Sequence, residues 1–263
     1  MREVDEALSR AYAQQGREVG RAPSAAAVPS PHRPARRPAP TRPSQVYLPP
    51  APPSGGVLEW PEVVDVLERS WGDRFRLMAD RILQAREQKG VKVLLFTSCH
   101  RAEGRTTLVL TLARALAKRP IKTLLVDADL SGPMLGRSLG LRPTVGLDDV
   151  VEDGKSVEDA LVESPGDRLW VLPMRAAASR PRDFLASASW ACTMAKLRRD
   201  FDLVLVDGGP LFAGLSAAVL HRSVDAAVLV HSRDATGERS LLRAREVLEA
   251  GGVPLLGLAE TFA

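Results

Sequence analysis

Between Ser98 and Thr107 the chain reads SCHRAEGRTT, a loop in which Gly104 is followed by a basic residue, Arg105, and by two hydroxyl side chains, Thr106 and Thr107. The apolar run VKVLLF leads into this loop and a helical pattern leaves it. Backbone N–H groups and a helix N-terminus would therefore be presented together at one point, which suits phosphate. In such a cradle the N–H groups bind phosphate oxygens, the basic side chain neutralises them, and a threonine hydroxyl helps to hold Mg²⁺. Ala102, Glu103, Gly104, Arg105, Thr106 and Thr107 are the candidate phosphate-loop residues, with Gly104 allowing close backbone approach. The loop departs from the standard GxxxxGK[ST] pattern twice, since Cys99 stands at its first glycine and Arg105 at its lysine. Alone, the segment also fits an ordinary strand-to-helix turn.

Carboxylates at two later strand ends change that balance. TLLVDADLSGP places Asp127 and Asp129 after one apolar run, and FDLVLVDGGP places Asp207 after another. Each aspartate by itself could be a helix cap or a turn residue. Together they converge on the sheet edge where a metal–phosphate complex would lie.

The elements that must position these residues are legible as alternating patterns. Residues 59–90 carry Val64, Leu67, Phe75, Met78 and Ile82 at helical spacing, and Gly90 closes that helix. Strand-like runs then alternate with helices: VKVLLFTS, a helix over 106–118 stopped by Pro120, KTLLVDADL, RLWVLPM, a helix before Asp200, FDLVLVDGG, DAAVLVHS, a helix over 238–250, and PLLGLAE. This alternation predicts an α/β fold, a doubly wound, mainly parallel sheet flanked by helices, with ligands at the carboxyl ends of the strands.

Before this region the composition changes. Residues 21–53 contain eleven prolines, five arginines and no acid, which denies the segment both helical and ladder hydrogen bonds. The expected organisation is a short helix over 1–20, a disordered Pro/Arg-rich linker over 21–57, and one domain over 58–263. The net charge of +4 belongs to the extension: residues 1–58 hold eight arginines and four acids, which leaves 28 basic and 28 acidic residues beyond. A neutral globular part argues against a specific nucleic-acid partner. Apolar runs never reach bilayer-spanning length and the first residues alternate charged with apolar, so a cytoplasmic protein without a signal peptide is expected. Cys99, Cys192 and the four histidines show no metal-ligand spacing.

The segments DRFRLMADRIL, TSCHRAEGRTTLVLTLARALA, TLLVDADLSGPML, RPRDFLASASW and FDLVLVDGGPLFAGLSAAVL, in this order, resemble the bacterial tyrosine kinases of exopolysaccharide synthesis, within the MinD/ParA group of P-loop ATPases. The resemblance runs from about residue 68 to the C-terminus. It implies ATP and Mg²⁺ as ligands and a membrane-anchored polysaccharide chain-length regulator or co-polymerase as partner, recruiting the chain to the inner face of the membrane. It also implies a role in controlling polysaccharide polymerisation or export. Carried over by position, Gly104 to Thr107 form the Walker A core and Asp207 the Walker B aspartate, while Asp127 and Asp129 form the second acidic motif. Thr106, Asp127 and Asp207 would then hold the metal, and Asp127, Asp129 and Arg105 would serve catalysis.

Several positions depart from that family's pattern. Arg105 replaces lysine, Ser131 stands where arginine is usual, and Ser216 where an aspartate is usual. The acid-x₂-Arg-x₂-Arg row that assembles rings reads Asp73, Arg76, Ala79, so homo-oligomerisation stays open without the expectation of a ring. Tyr12 and Tyr47 are the only tyrosines, and Glu260 stands near the asparagine that would face the base. Three readings follow: a kinase homologue attenuated at Arg105, a nucleotide-sensing pseudokinase scaffold, or a partitioning or positioning ATPase of the MinD/ParA type.

Overall fold

The computed structural model describes residues 57–164, 168–213 and 223–261. The expected helix over 1–20, the linker up to residue 56, Tyr12, Tyr47 and Ser216 lie outside the described residues.

Helix α1 (Glu62–Lys89) carries acids in its first turn and Arg86 and Lys89 in its last, matching the helix dipole at both ends. It stops at Gly90, whose left-handed φ of 69° lets its N–H return to the Arg86 carbonyl. Strand β1 (Val93–Ser98) follows, then α2 (Arg105–Ala117) and β2 (Thr123–Ala128). Short helices α3 (Leu135–Ser138), α4 (Leu147–Glu152) and α5 (Val157–Ala160) precede β3 (Val162–Glu163) and β4 (Leu169–Leu172). The chain continues through α6 (Pro181–Ala186), α7 (Ala188–Asp200), β5 (Leu203–Pro210), a 3₁₀ turn at Leu211–Ala213, β6 (Ala226–Ser232), α8 (Glu238–Ala250) and β7 (Leu255–Thr261). The long helices and strands anticipated from periodicity are present. The two-residue β3 and the four short helices carry too little pattern to be read in advance.

The seven strands lie in the order β3-β4-β2-β5-β1-β6-β7, all parallel except β3 against β4. Successive residues of β1 face opposite ways: Val93 and Leu95 enter one apolar core with Trp190 and Leu248, whereas Leu94 and Phe96 enter a second with Val64 and Leu112. Burial on both faces is why these strands read as continuous apolar runs. Helices α1 and α2 cover the second core, and α4, α6, α7 and α8 cover the first.

At the opposite edge from the loop, Asp225 ties β1 to β6. Its Oδ2 accepts from the N–H groups of Lys92 and Val93 at 2.8 Å each, and Arg198 Nη2 lies 2.8 Å from Oδ1. Burial pushes this carboxyl up, but the Arg198 and backbone hydrogen bonds outweigh it and hold it below the usual carboxylate range. A depressed folded-state pKa stabilises above the unfolded value and loses that contribution as pH falls through the folded one. Asp225→Asn is therefore expected to lower stability by about 1–3 kcal/mol at neutral pH, with the gap closing in acid. Urea denaturation of both proteins across pH checks this, and a gap that widened in acid would reverse the sign.

Candidate functional site

Strand order decides which strand ends meet. The parallel register sets Asp127 beside Asp207 and Asp207 beside Phe96, so β2, β5 and β1 deliver their carboxyl ends side by side. The chain leaves β1 at Ser98 and turns through residues 99–104 into α2. Two left-handed residues, Ala102 at φ 62° and Gly104 at φ 73°, curl this loop. No side chain caps α2 and no acid lies in its first turn, so its N-terminal dipole faces the loop uncompensated from within the helix.

Arg105 opens α2 and turns inward. Its Nε donates to Asp207 Oδ1, its Nη1 to Ser98 Oγ and its Nη2 to Asp129 Oδ2, each at 2.8 Å. The side chain is 9% exposed, and those of Asp129 and Asp207 are 7% and 2% exposed. Thr106 Oγ1 donates to the other oxygen of Asp207, again at 2.8 Å. A planar five-donor fork can bridge acceptors on three separate segments, which a lysine ammonium on a single point cannot do in the same way.

Asp127 belongs to a different set of contacts. Its Oδ2 accepts from the Leu135 N–H at 2.9 Å and its Oδ1 from the Asp129 N–H at 3.3 Å, so it shapes the turn after β2. Burial, then the neighbouring Asp207 charge, pushes its carboxyl up to about 7. Burial also raises Asp207, against the opposing pull of Arg105.

Glu103, expected among the phosphate-loop residues, directs its carboxylate into the protein. It is 2% exposed. Oε2 accepts from the His100 N–H at 2.8 Å, and Oε1 accepts from the Thr236 hydroxyl. Thr261 Oγ1 donates to the Glu103 carbonyl at 2.8 Å. The loop is thereby fastened to the segments that follow β6 and end β7. Glu103→Ala is expected to destabilise the protein by about 1–3 kcal/mol, with Glu103→Gln milder because its amide oxygen still accepts. Thermal and urea melts decide this, and an unchanged alanine variant would refute the fastening role.

Arg101 sits at the mouth of the site with its side chain 55% exposed, its Nη1 3.8 Å from Asp129 Oδ2. It occupies space left by Gly132, where an added Cβ would stand 2.9 Å from the same nitrogen. The structure adds Ser98, Arg101, Thr236 and Thr261 to the site residues legible in the sequence. Ser98 ends a strand beside the loop and was legible in principle, but Thr236 and Thr261 lie more than a hundred residues away with no local signal.

The other sequence assignments fall as follows. Asp73 and Arg76 pair with each other on the exposed face of α1, while Ala79 is fully buried, so the third position of that row points into the core. Glu260 lies 3.9 Å from Arg233 Nε at the last strand. Cys99 is buried, which pushes its thiol up to about 11, and Cys192 is exposed. Among the described residues, no helix is long and apolar enough to cross a membrane.

A loop curled by left-handed residues between a central parallel strand and a helix N-terminus, with aspartates on two adjoining strand ends, defines the P-loop NTPase class, in its MinD/ParA-like form. No protein-family model matches the chain. The tyrosine-protein kinase YwqD of Bacillus subtilis (strain 168) is 31% identical over 186 residues, which cover 70% of this chain and 78% of that protein. The chain belongs to the bacterial tyrosine-protein kinase family. The crystal structure of the VpsO kinase domain is 27% identical, with a TM-score of 0.67 over 75% of this chain and 97% of that one. Pyrococcus horikoshii MinD, solved with Mg-ADP, shares the fold at a TM-score of 0.54 and 24% identity, covering 64% of this chain and 68% of that one.

Proposed function

We propose that the chain is an ATP-binding tyrosine-kinase homologue that regulates exopolysaccharide or capsule synthesis or export, with phosphoryl transfer attenuated by Arg105. The observation that carries this reading is the Arg105 guanidinium, held by Ser98, Asp129 and Asp207 within an otherwise formed loop. The backbone from Ala102 to Thr107 would cradle the phosphates at the α2 N-terminus. Phosphoryl transfer depends on positioned charge around the transferred group. Here the positive charge is directed at buried aspartates, and Asp127 and Asp129 are the carboxylates nearest to an incoming acceptor hydroxyl by family position.

Mg²⁺, which the resemblance implies, does not fit the residues as placed. Arg105 already holds one oxygen of Asp207 and one of Asp129 as a resident cation, while Thr106 donates to the other oxygen of Asp207.

The partner would be a membrane-anchored chain-length regulator or co-polymerase, holding a cytoplasmic protein at the inner face of the membrane. Residues 1–20 and the Pro/Arg-rich 21–57 would serve as helix and tether to the domain at 58–263. The same Arg105 contacts favour one second reading, a pseudokinase scaffold that senses nucleotide without turning it over.

Incubating the purified full-length chain with labelled ATP, Mg²⁺ and the cytoplasmic segment of a candidate activator tests the reading. Slow phosphotyrosine formation is expected, rising in Arg105→Lys, with Tyr12 and Tyr47 as the self-acceptors. Nucleotide binding without phosphotyrosine in either protein would select the scaffold, and absence of nucleotide binding from both would end both readings.

A further inference from the structure

The buried acidic site already holds a cation supplied from within the chain, the Arg105 guanidinium. Three nitrogens of one guanidinium reach three acceptors at 2.8 Å. They bridge β5 to the turn after β2, two segments whose buried carboxylates would otherwise face each other with only the exposed Arg101 nearby. The remaining oxygen of Asp207 accepts from the Thr106 hydroxyl, also at 2.8 Å. A divalent ion entering here would have to break two charge-assisted hydrogen bonds and leave a buried guanidinium with only the Ser98 hydroxyl. Mg²⁺ would also have to give up tightly held water.

We propose that Arg105 is the permanent cation of this site, replacing the divalent metal, so that a nucleoside di- or triphosphate binds through its phosphates in a metal-independent manner. The proposal rests on the nucleotide-binding reading above and concerns how that nucleotide is held. Arg105 fixes a positive charge behind the loop, where it offsets Asp129 and Asp207. Arg101 supplies the second, adjustable charge. More than half exposed and only 3.8 Å from Asp129, it stands at the mouth with freedom to turn to a phosphate. Gly132 lies beside this guanidinium, where an added Cβ would stand 2.9 Å from its Nη1. Guanidinium groups recognise phosphate oxygens with paired N–H donors, which gives geometry as well as charge without a metal.

Titration calorimetry of the full-length chain with ADP, once in excess EDTA and once in millimolar Mg²⁺, reads the proposal directly. The wild-type affinities are expected to agree within about twofold. Arg105→Lys, which cannot bridge the same acceptors, is expected to gain about tenfold or more in affinity when Mg²⁺ is added. Arg101→Ala, at an exposed position that leaves the fold intact, is expected to lose about tenfold in affinity in EDTA. Mn²⁺ titration followed by electron paramagnetic resonance adds a readout that needs no nucleotide, in which the wild type should leave the ion free.

A wild-type affinity that rises tenfold with Mg²⁺, or stoichiometric Mn²⁺ binding by the wild type, would overturn the proposal while leaving nucleotide binding intact. An Arg101→Ala variant with unchanged affinity in EDTA would overturn it as well, even if Arg105→Lys failed to fold. Absence of ADP binding by the wild type in both media would instead remove the nucleotide-binding reading on which it rests.

Discussion

Arg105→Ala is expected to cost the fold about 3–5 kcal/mol, because it deletes the countercharge of two buried carboxylates. Asp207 is 1% exposed and Asp129 5% exposed, and both accept from the lost guanidinium. Removing a carboxylate as well should return part of the loss, so Arg105→Ala combined with Asp207→Asn is expected to be more stable than Arg105→Ala alone. Urea denaturation of the four proteins in this cycle gives the coupling. A single-variant loss under about 1 kcal/mol would mean that solvent reaches the cluster and that the pair is not a buried one.

The second large effect is expected in the core beneath the sheet. Trp190 on α7 is 1% exposed, packs its ring 5.8 Å from that of Phe184, and donates from Nε1 to Ser223 Oγ at 3.0 Å. Trp190→Ala should cost about 3–5 kcal/mol, combining lost burial with the cavity left behind. It also leaves the Ser223 hydroxyl without its indole donor. Trp190→Phe keeps most of the ring volume and should lose markedly less, which separates packing from the hydrogen bond. Chemical denaturation and near-ultraviolet circular dichroism read the result. An alanine variant as stable as wild type would show that α7 does not anchor this face of the sheet.

The two variants probe opposite aspects of the molecule, and they differ in how visible their reasons were. That Trp190 lies in a helix was anticipated from the pattern before Asp200, although its contact with Ser223 spans 33 residues and had no local sign. Arg105 was conspicuous as the residue in a lysine position, and a gain or loss of catalysis was the natural concern. Its partners in the structure, Ser98, Asp129 and Asp207, give it a structural role as well. The same side chain that departs from the family's loop also satisfies the family's acids.

The sequence by itself determined the parallel α/β class, the loop between β1 and α2, and the three aspartates at strand ends. Those features are carried by short-range spacing: apolar runs buried on both faces, helical periodicity, and a glycine before a helix. Tertiary structure alone decided the order β2-β5-β1, which brings Asp207, 102 residues from Arg105, within 2.8 Å of its guanidinium. It also turned the Glu103 carboxylate into the protein, toward His100 and Thr236, and gave Arg101 its place beside Gly132. Partner choice between distant side chains depends on which strands become neighbours, and spacing along the chain carries no record of that.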